Sequence, residues 1–322
     1  MGVMTADLAV EMGELHCANP LLGDRVALDE AWRRDGYWFF RDVLDKTVIA
    51  SIREVYRDYL VDMGLTDPDD AEIRYNGADY AHLPINSNRT RLNTLKVHRL
   101  LHEAPTINAF FSELFGCDPC WVPFTVHRTN PPVLDRRRSR FDFIHADGVY
   151  NGGLDFLICW VPIDEIDEAV GGLALVEGVP DGSNLHPRDG MKIDPIRLED
   201  TPPRWKRAHY RPGDVLIMSL QTPHSGLANL SRDRFRLSMD TRIMPSSGHC
   251  PLAGTLAAVS AEGVVLQSEG RLSRFLFTGS SFIRGHAGNQ MAPQDAPDHF
   301  APGDEVIVLA EGERVVNLRP QH

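Results

Sequence analysis

The sequence predicts an α+β fold that is mainly β, with a core built as a barrel or jelly roll of short antiparallel strands. Up to Gly116, apolar side chains recur at the spacing that is typical of amphipathic helices. From Trp121 onward, short runs of β-branched and aromatic residues alternate with turn residues. Helices that precede such a series of strands are typical of α+β chains.

The N-terminal part contains three predicted helices and one predicted strand. In chain order we expect a helix over 28–35, a strand over Tyr37–Phe40, a helix over 44–63 and a helix over 102–115. Each helix stops at a glycine, namely Gly36, Gly64 or Gly116, which is a common helix end signal. Residues 65–95 are polar and rich in turn residues, and long connections of this kind are often functional.

The β part is expected to form one domain with the helices, followed by a small appendage. The expected strands lie within 121–129, 140–148, 155–164, 171–178, 214–220 and 235–244. We therefore predict a main domain over residues 1–245 and a β-rich C-terminal extension over residues 246–322. We expect the extension to pack on the main body or on a second copy of the chain, which would make a homodimer.

Composition excludes several classes of partner. The formal net charge is −12 and the isoelectric point is about 5.5, so no positive field would attract nucleic acid or anionic membranes. No apolar run approaches the roughly 18 residues that span a bilayer. The N-terminus carries acidic residues where a signal peptide carries basic ones, and the five scattered cysteines suit a reducing compartment. These features predict a cytoplasmic protein.

Four residues form a candidate metal and cosubstrate site. His145 and Asp147 are two positions apart at the end of a predicted strand, so their side chains point to the same face. His224 follows a second predicted strand, and Arg236 lies in the next one. Two imidazoles and one carboxylate are the ligands of non-haem Fe(II) oxygenases, and they leave positions open for a 2-oxo acid and dioxygen. An arginine suits the distal carboxylate of that acid, because its planar guanidinium binds carboxylates with two parallel hydrogen bonds.

The segment from about Asp35 to Arg242 resembles the phytanoyl-CoA dioxygenase (PhyH) family of Fe(II)/2-oxoglutarate-dependent oxygenases. Five stretches carry the resemblance in order: "RDGYWFFRDVLDKTVIASIREVY", "HAD", "ICWVPIDEIDEAVGGLALVEGVPDGS", "RPGDVLIM" and "HSGLANLSRDRFRLSMDTRI". One departure is the extra residue in Val179–Ser183, where the family usually has Pro-Gly-Ser. The last seventy or so residues are not covered by the resemblance.

The resemblance implies a double-stranded β-helix core (a cupin-like jelly roll) and assigns roles by position. His145, Asp147 and His224 would be the catalytic iron ligands, and Arg236 would bind the distal carboxylate of 2-oxoglutarate. Trp160 matches the aromatic residue beside the cosubstrate, and Ser238 matches the serine of an Arg-x-Ser pair. Because Asp147 is present, the halogenation that relatives with a small residue there catalyse is not expected.

The expected reaction is oxidation, usually hydroxylation, of an unactivated C–H bond, with release of succinate and carbon dioxide. The cofactors would be Fe(II), 2-oxoglutarate and O2, and the substrate a small organic molecule of natural-product metabolism. An acyl-CoA or another primary metabolite is one alternative substrate. A cupin-like isomerase or a ligand-binding sensor without 2-oxo acid use is an alternative of another class. The basic run Arg136–Arg138, with Arg140, lies just before the iron motif and is either a solvated loop or a contact for an anionic substrate.

Overall fold

A computed structural model describes residues 10–83, 85, 91–134, 139–189, 192–286 and 288–321. Six α-helices are present in this part of the chain: α1 Arg25–Asp35, α2 Lys46–Asp62, α3 Arg91–Thr94, α4 His98–His102, α5 Pro105–Phe115 and α6 Ala296–His299. None of the helices in the described ranges has the length and apolar character needed to cross a membrane. The five cysteines are all free thiols.

Strands outnumber helices. They are β1 Gly13–Glu14, β2 Tyr37–Phe40, β3 Pro119–Asn130, β4 Leu157–Pro162, β5 Gly172–Val176, β6 Arg188–Asp189, β7 Lys192–Ile193, β8 Trp205–Arg207, β9 Val215–Met218, β10 His224–Leu227, β11 Arg236–Pro245, β12 Leu252–Ser260, β13 Gly263–Ser268, β14 Arg271–Leu276, β15 Phe282–Arg284, β16 Gln290–Met291, β17 Glu305–Glu311 and β18 Arg314–Pro320. Short 3-10 helices also occur, of which Asp147–Tyr150 and Gly182–Leu185 matter for the site.

The predicted N-terminal helices and strand are present as α1, β2, α2 and α5, whereas helices α3 and α4 were not predicted. Helix α1 begins after Asp24, whose carboxylate accepts a hydrogen bond from the Ala27 amide, and ends at Gly36 in the left-handed conformation (φ 84°). Strand β2 follows and is completely buried. Helix α5 ends in the same way at Gly116 (φ 71°). Glycine adopts this conformation at no steric cost, which explains why these helix ends can be predicted from the sequence.

The chain divides into two compact units. Unit 1 comprises residues 1–116, 125–149 and 157–241, and unit 2 comprises residues 117–124, 150–156 and 242–322. The domain boundary predicted between residues 245 and 246 stays a prediction.

Unit 1 has the architecture of a jelly roll. One sheet has the strand order β1-β8-β5-β10, and a second has the order β2-β9-β4-β11-β3. Non-consecutive strands are therefore neighbours in both sheets, and β10 pairs with β5 antiparallel, with His224 opposite Leu175. The predicted fold class, a mainly β chain with a jelly-roll core and N-terminal helices, is confirmed. This topology brings residues from distant parts of the sequence to the inner faces of the two sheets.

Unit 2 contains a seven-stranded sheet with the order β14-β13-β12-β17-β18-β15-β16. Its core is an apolar cluster that includes Leu256, Leu266, Phe275, Val308 and Leu318. The C-terminal segment is thus rich in strands, as expected.

Candidate functional site

The segment that carries His145 is held in place by an apolar cluster of unit 1. Phe141 and Ile144 are buried in this cluster, and the ring of Phe141 packs on Trp205 with centroids 4.6 Å apart. Burial of these two side chains fixes the segment on one side. On the other side His145 exchanges backbone hydrogen bonds with His224, at 3.0 and 2.8 Å. The two histidines therefore sit directly opposite each other, although they are far apart in sequence.

The prediction of a regular strand over residues 140–148 is wrong. The segment makes only isolated antiparallel bridges, of Phe141 with Leu227 and of His145 with His224. Phe143, expected to share the buried face of Phe141, is instead 42% exposed. The chain leaves the extended conformation at Asp147, where a 3-10 helix begins. This turn redirects the carboxylate toward the imidazole that precedes it.

The predicted iron ligands come together in space. His145 Nε2 lies 3.2 Å from Asp147 Oδ1. The rings of His145 and His224 have centroids 4.3 Å apart. One donor atom from each of the three residues lies within 4.8 Å of the other two, which is close enough for all three to bind one ion.

The hydrogen bonds of the two imidazoles fit a metal site. His145 Nδ1 lies 3.1 Å from the Phe143 carbonyl oxygen, and His224 Nδ1 lies 2.9 Å from the Thr222 carbonyl oxygen. A carbonyl oxygen only accepts, so each Nδ1 carries a proton and each Nε2 offers a lone pair. Histidine ligands of metals are oriented by this kind of bond. The three residues therefore form the facial donor set that suits Fe(II).

His186 supports the iron motif through the backbone. Its Nε2 accepts a hydrogen bond from the amide of Ala146, the residue between His145 and Asp147, at 3.0 Å. Its Nδ1 donates to the Asp194 carbonyl oxygen at 2.8 Å. The ring is buried, which lowers the pKa of His186 and favours this neutral tautomer. The sequence carries no signal for this role, because the contact depends on a long connection folding back beside the motif.

Arg236 links the two sheets of unit 1. It begins β11, is almost completely buried, and its Nη1 donates to the carbonyl oxygens of Leu227 at 2.7 Å and Gly172 at 3.2 Å. Both acceptors belong to the opposite sheet. Gly226 favours this approach, because a Cβ there would lie 3.1 Å from Arg236 Nη1, which is tighter than an ordinary contact. His224 and Arg236 line the same cavity, but they sit on different sheets rather than on paired strands.

Trp160 and Ser238 are both buried in unit 1. Trp160 is buried on β4, and its ring meets that of Tyr210 edge-on with centroids 4.7 Å apart. Ser238 is completely buried on β11, and within the described ranges its hydroxyl has no hydrogen-bond partner. An unsatisfied buried hydroxyl in a native structure calls for an explanation.

Most of these residues line one cavity of about 570 Å³. Its lining includes five of the predicted site residues, namely His145, His224, Trp160, Arg236 and Ser238, together with Tyr80, Arg128, Asn130, Asp142, Phe143 and Asp240 among others. A volume of this size is typical of sites that bind small molecules. The basic run Arg136–Arg138 lies outside the described residues, whereas Arg140 is paired with Glu168 at 3.1 Å.

Comparison with known families now identifies the class of the protein. The family model described as phytanoyl-CoA dioxygenase (PhyH) matches residues 32–238, which is more than half of the chain. The chain belongs to the PhyH family. The predicted class of enzyme, an Fe(II)- and 2-oxoglutarate-dependent dioxygenase acting on a small molecule, is confirmed. The donor set of His145, Asp147 and His224 is consistent with iron as the metal of this PhyH protein.

Two curated relatives cover most of the chain. The 1-deoxypentalenic acid 11-beta-hydroxylase of Streptomyces arenae is 29% identical over 252 residues, which are 71% of this chain and 84% of the relative. The enzyme of the same name from Streptomyces exfoliatus is 28% identical over 251 residues, with the same shares of each chain. Both relatives are hydroxylases.

Among solved structures, the epimerase SnoN in complex with Fe3+, alpha ketoglutarate and nogalamycin RO is 21% identical, with a TM-score of 0.46. It covers 69% of this chain and 85% of its own. EctD from S. alaskensis with 2-oxoglutarate and 5-hydroxyectoine is 17% identical, with a TM-score of 0.44, and covers 74% of this chain and 85% of its own. Similarity at this level carries no information on the substrate.

Proposed function

We propose that this PhyH protein hydroxylates an unactivated C–H bond of a small organic substrate in natural-product metabolism, with His145, Asp147 and His224 as its iron ligands. The observation that carries the proposal is the convergence of these three side chains, with both Nδ1 atoms bound to carbonyl oxygens. The two Streptomyces relatives support hydroxylation, because their names state that reaction on 1-deoxypentalenic acid.

Bound iron would supply the activation of dioxygen, and 2-oxoglutarate the electrons, with succinate and carbon dioxide as co-products. The chain binds and orients the reactants. Arg236 binds the distal carboxylate of 2-oxoglutarate, and the carbonyl oxygens of Leu227 and Gly172 hold its guanidinium in place. The Ser238 hydroxyl donates to the same carboxylate. Trp160 forms an apolar wall that excludes water from the cosubstrate.

The second candidate substrate is an acyl-CoA, because the matching family is described by phytanoyl-CoA. Membership of that family favours a dioxygenase over the cupin-like isomerase and the sensor. A cytoplasmic location and a homodimer formed through residues 246–322 stay predictions from the sequence.

The experiment compares two substrates with the iron-loaded enzyme. We expect 1-deoxypentalenic acid to stimulate succinate formation from 2-oxoglutarate and to gain one oxygen atom, measured by mass spectrometry, and phytanoyl-CoA to do neither. Oxygenation of phytanoyl-CoA alone would select the second candidate. Loss of charge-assisted hydrogen bonds in Arg236→Met should raise the KM for 2-oxoglutarate about tenfold or more. An unchanged KM would contradict the role given to Arg236.

A further inference from the structure

The cavity contains a second arginine that the iron and cosubstrate site does not use. Arg128 lies on β3, and it lines the cavity together with Asn130, two positions further along the same strand. The residues between and beside them, His127 and Thr129, are buried on the other face. Strand alternation therefore directs Arg128 into the cavity and not to the outer surface.

The other charged groups of the cavity are already engaged. Arg236 is assigned to 2-oxoglutarate in the proposed function, and Asp142 and Asp240 each have an interaction partner. In the ranges that the structure describes, the half-buried Arg128 side chain makes neither a hydrogen bond nor an ion pair. A cation of this kind in a binding cavity is available to an anionic group of a ligand.

The place of Arg128 in the sheet separates it from Trp160. Strand β11, which carries Arg236 and Ser238, lies between β3 and β4 in the sheet. Neighbouring strands are about 4.8 Å apart, so Arg128 and Trp160 stand on strands about 10 Å apart. The cavity of about 570 Å³ exceeds what a five-carbon diacid needs. Arg128 thus lines the cavity on the side of β11 that is away from Trp160, and we assign that side to the substrate.

We propose that Arg128 binds a carboxylate of the substrate, so that the substrate is a small organic acid. This inference rests on the proposed function, because it needs 2-oxoglutarate to occupy the Arg236 side. An acid held at Arg128 by its carboxylate presents its hydrocarbon part to the iron ligands. Arg128 would then select acids over the corresponding esters and amides.

The test uses benzoate as a probe carboxylate and benzamide as its uncharged counterpart. The protein is loaded anaerobically with Fe(II) and 2-oxoglutarate, and binding is measured by paramagnetic broadening of the probe's ring protons. The variants are Arg128→Met, which removes the charge at similar length, and Arg33→Met, a control on the exposed face of α1. The 2-oxoglutarate charge-transfer band is recorded in every sample to show that the cosubstrate stays bound.

We expect benzoate to bind wild type and Arg33→Met equally, and Arg128→Met about tenfold more weakly. Benzamide should bind all three proteins weakly. Equal benzoate binding in Arg128→Met, benzamide binding as tight as benzoate, or no benzoate binding to the wild type overturns the inference. So does loss of the band in Arg128→Met, which would make Arg128 a cosubstrate residue. A wild type without the band refutes the proposed function itself, which is a distinct result.

Discussion

The segment of unit 1 that carries His145 and the sheet of unit 2 are both built from extended chain, but their backbone groups are hydrogen-bonded in different ways. In unit 2, β13 pairs with β14 over six consecutive residue pairs, and the core beneath is apolar. In unit 1, the segment around His145 makes isolated bridges only. Other backbone groups of the segment bond to scattered partners: the Phe143 amide donates to the Ser225 hydroxyl, and the Ile144 carbonyl oxygen accepts from the Ile196 amide.

This difference shows what a binding site requires of a sheet. A continuous ladder uses every backbone group internally and repeats the same geometry along its length. An interrupted ladder lets the chain turn at Asp147 and brings an imidazole and a carboxylate into one space. The cost is that side chains such as His186 must replace the missing strand partner. A continuous ladder therefore suits a stable core, whereas an interrupted ladder can place side chains that bind a metal.

The largest expected effect separates the two regions directly. Leu266 is completely buried in the apolar core of unit 2. Leu266→Ala should lower the free energy of unfolding by about 2–5 kcal/mol, because it removes buried methyl groups and leaves a cavity. We expect Fe(II) affinity to be unchanged in the folded variant. Urea denaturation measures the free energy of unfolding, and a charge-transfer titration measures the Fe(II) affinity. A loss of Fe(II) affinity in the folded variant would contradict the separation of the two regions.

The next effect tests the side chain that replaces a strand partner. His186→Leu removes the acceptor of the Ala146 amide and should weaken Fe(II) binding about 10–100-fold, as loss of a residue that orients metal ligands does. His186→Gln can place an oxygen where Nε2 lies and should recover part of the affinity. Anaerobic Fe(II) titration in the presence of 2-oxoglutarate measures both variants. Equal Fe(II) affinity in wild type and His186→Leu would show that residues 145–147 keep their conformation without His186.

The smallest effect concerns His102, a half-buried histidine of unit 1. Burial lowers the pKa of His102 well below its usual value, and the imidazoles of His98 and His127 lower it further. The unfolded chain therefore binds a proton that the folded protein excludes, so stability is present above about pH 6.5 and falls below it. Between pH 6.5 and 5.5 we expect a loss of about 1 kcal/mol from this residue.

His102→Gln removes the titration and keeps a polar partner for Thr241, whose hydroxyl lies 2.8 Å from His102 Nε2. The free energy of unfolding in urea should fall more steeply for wild type than for this variant as the pH is lowered from 6.5 to 5.5. A difference that does not vary with pH would contradict the assignment.

Much of the fold could be predicted because its signals are local. The helices end at Gly36 and Gly116, and strand β2 is a run of aromatic residues. The cluster of three candidate iron ligands could be predicted because the types and order of these residues match a family. The role of His186 and the two-sheet setting of Arg236 could not be predicted, because both depend on contacts between distant segments. The strand expected at 140–148 failed because alternation of Phe141 and Phe143 does not reveal whether a pairing partner exists.

The central claim is that His145, Asp147 and His224 hold Fe(II) with room for 2-oxoglutarate. The most direct measurement is the visible charge-transfer band after anaerobic addition of Fe(II) and 2-oxoglutarate to metal-free protein. We predict the band in wild type and in His249→Ala, a control at an exposed histidine, and its loss in folded His224→Ala. Folded wild-type protein with no band and no metal uptake, or an unchanged band in His224→Ala, would contradict the claim.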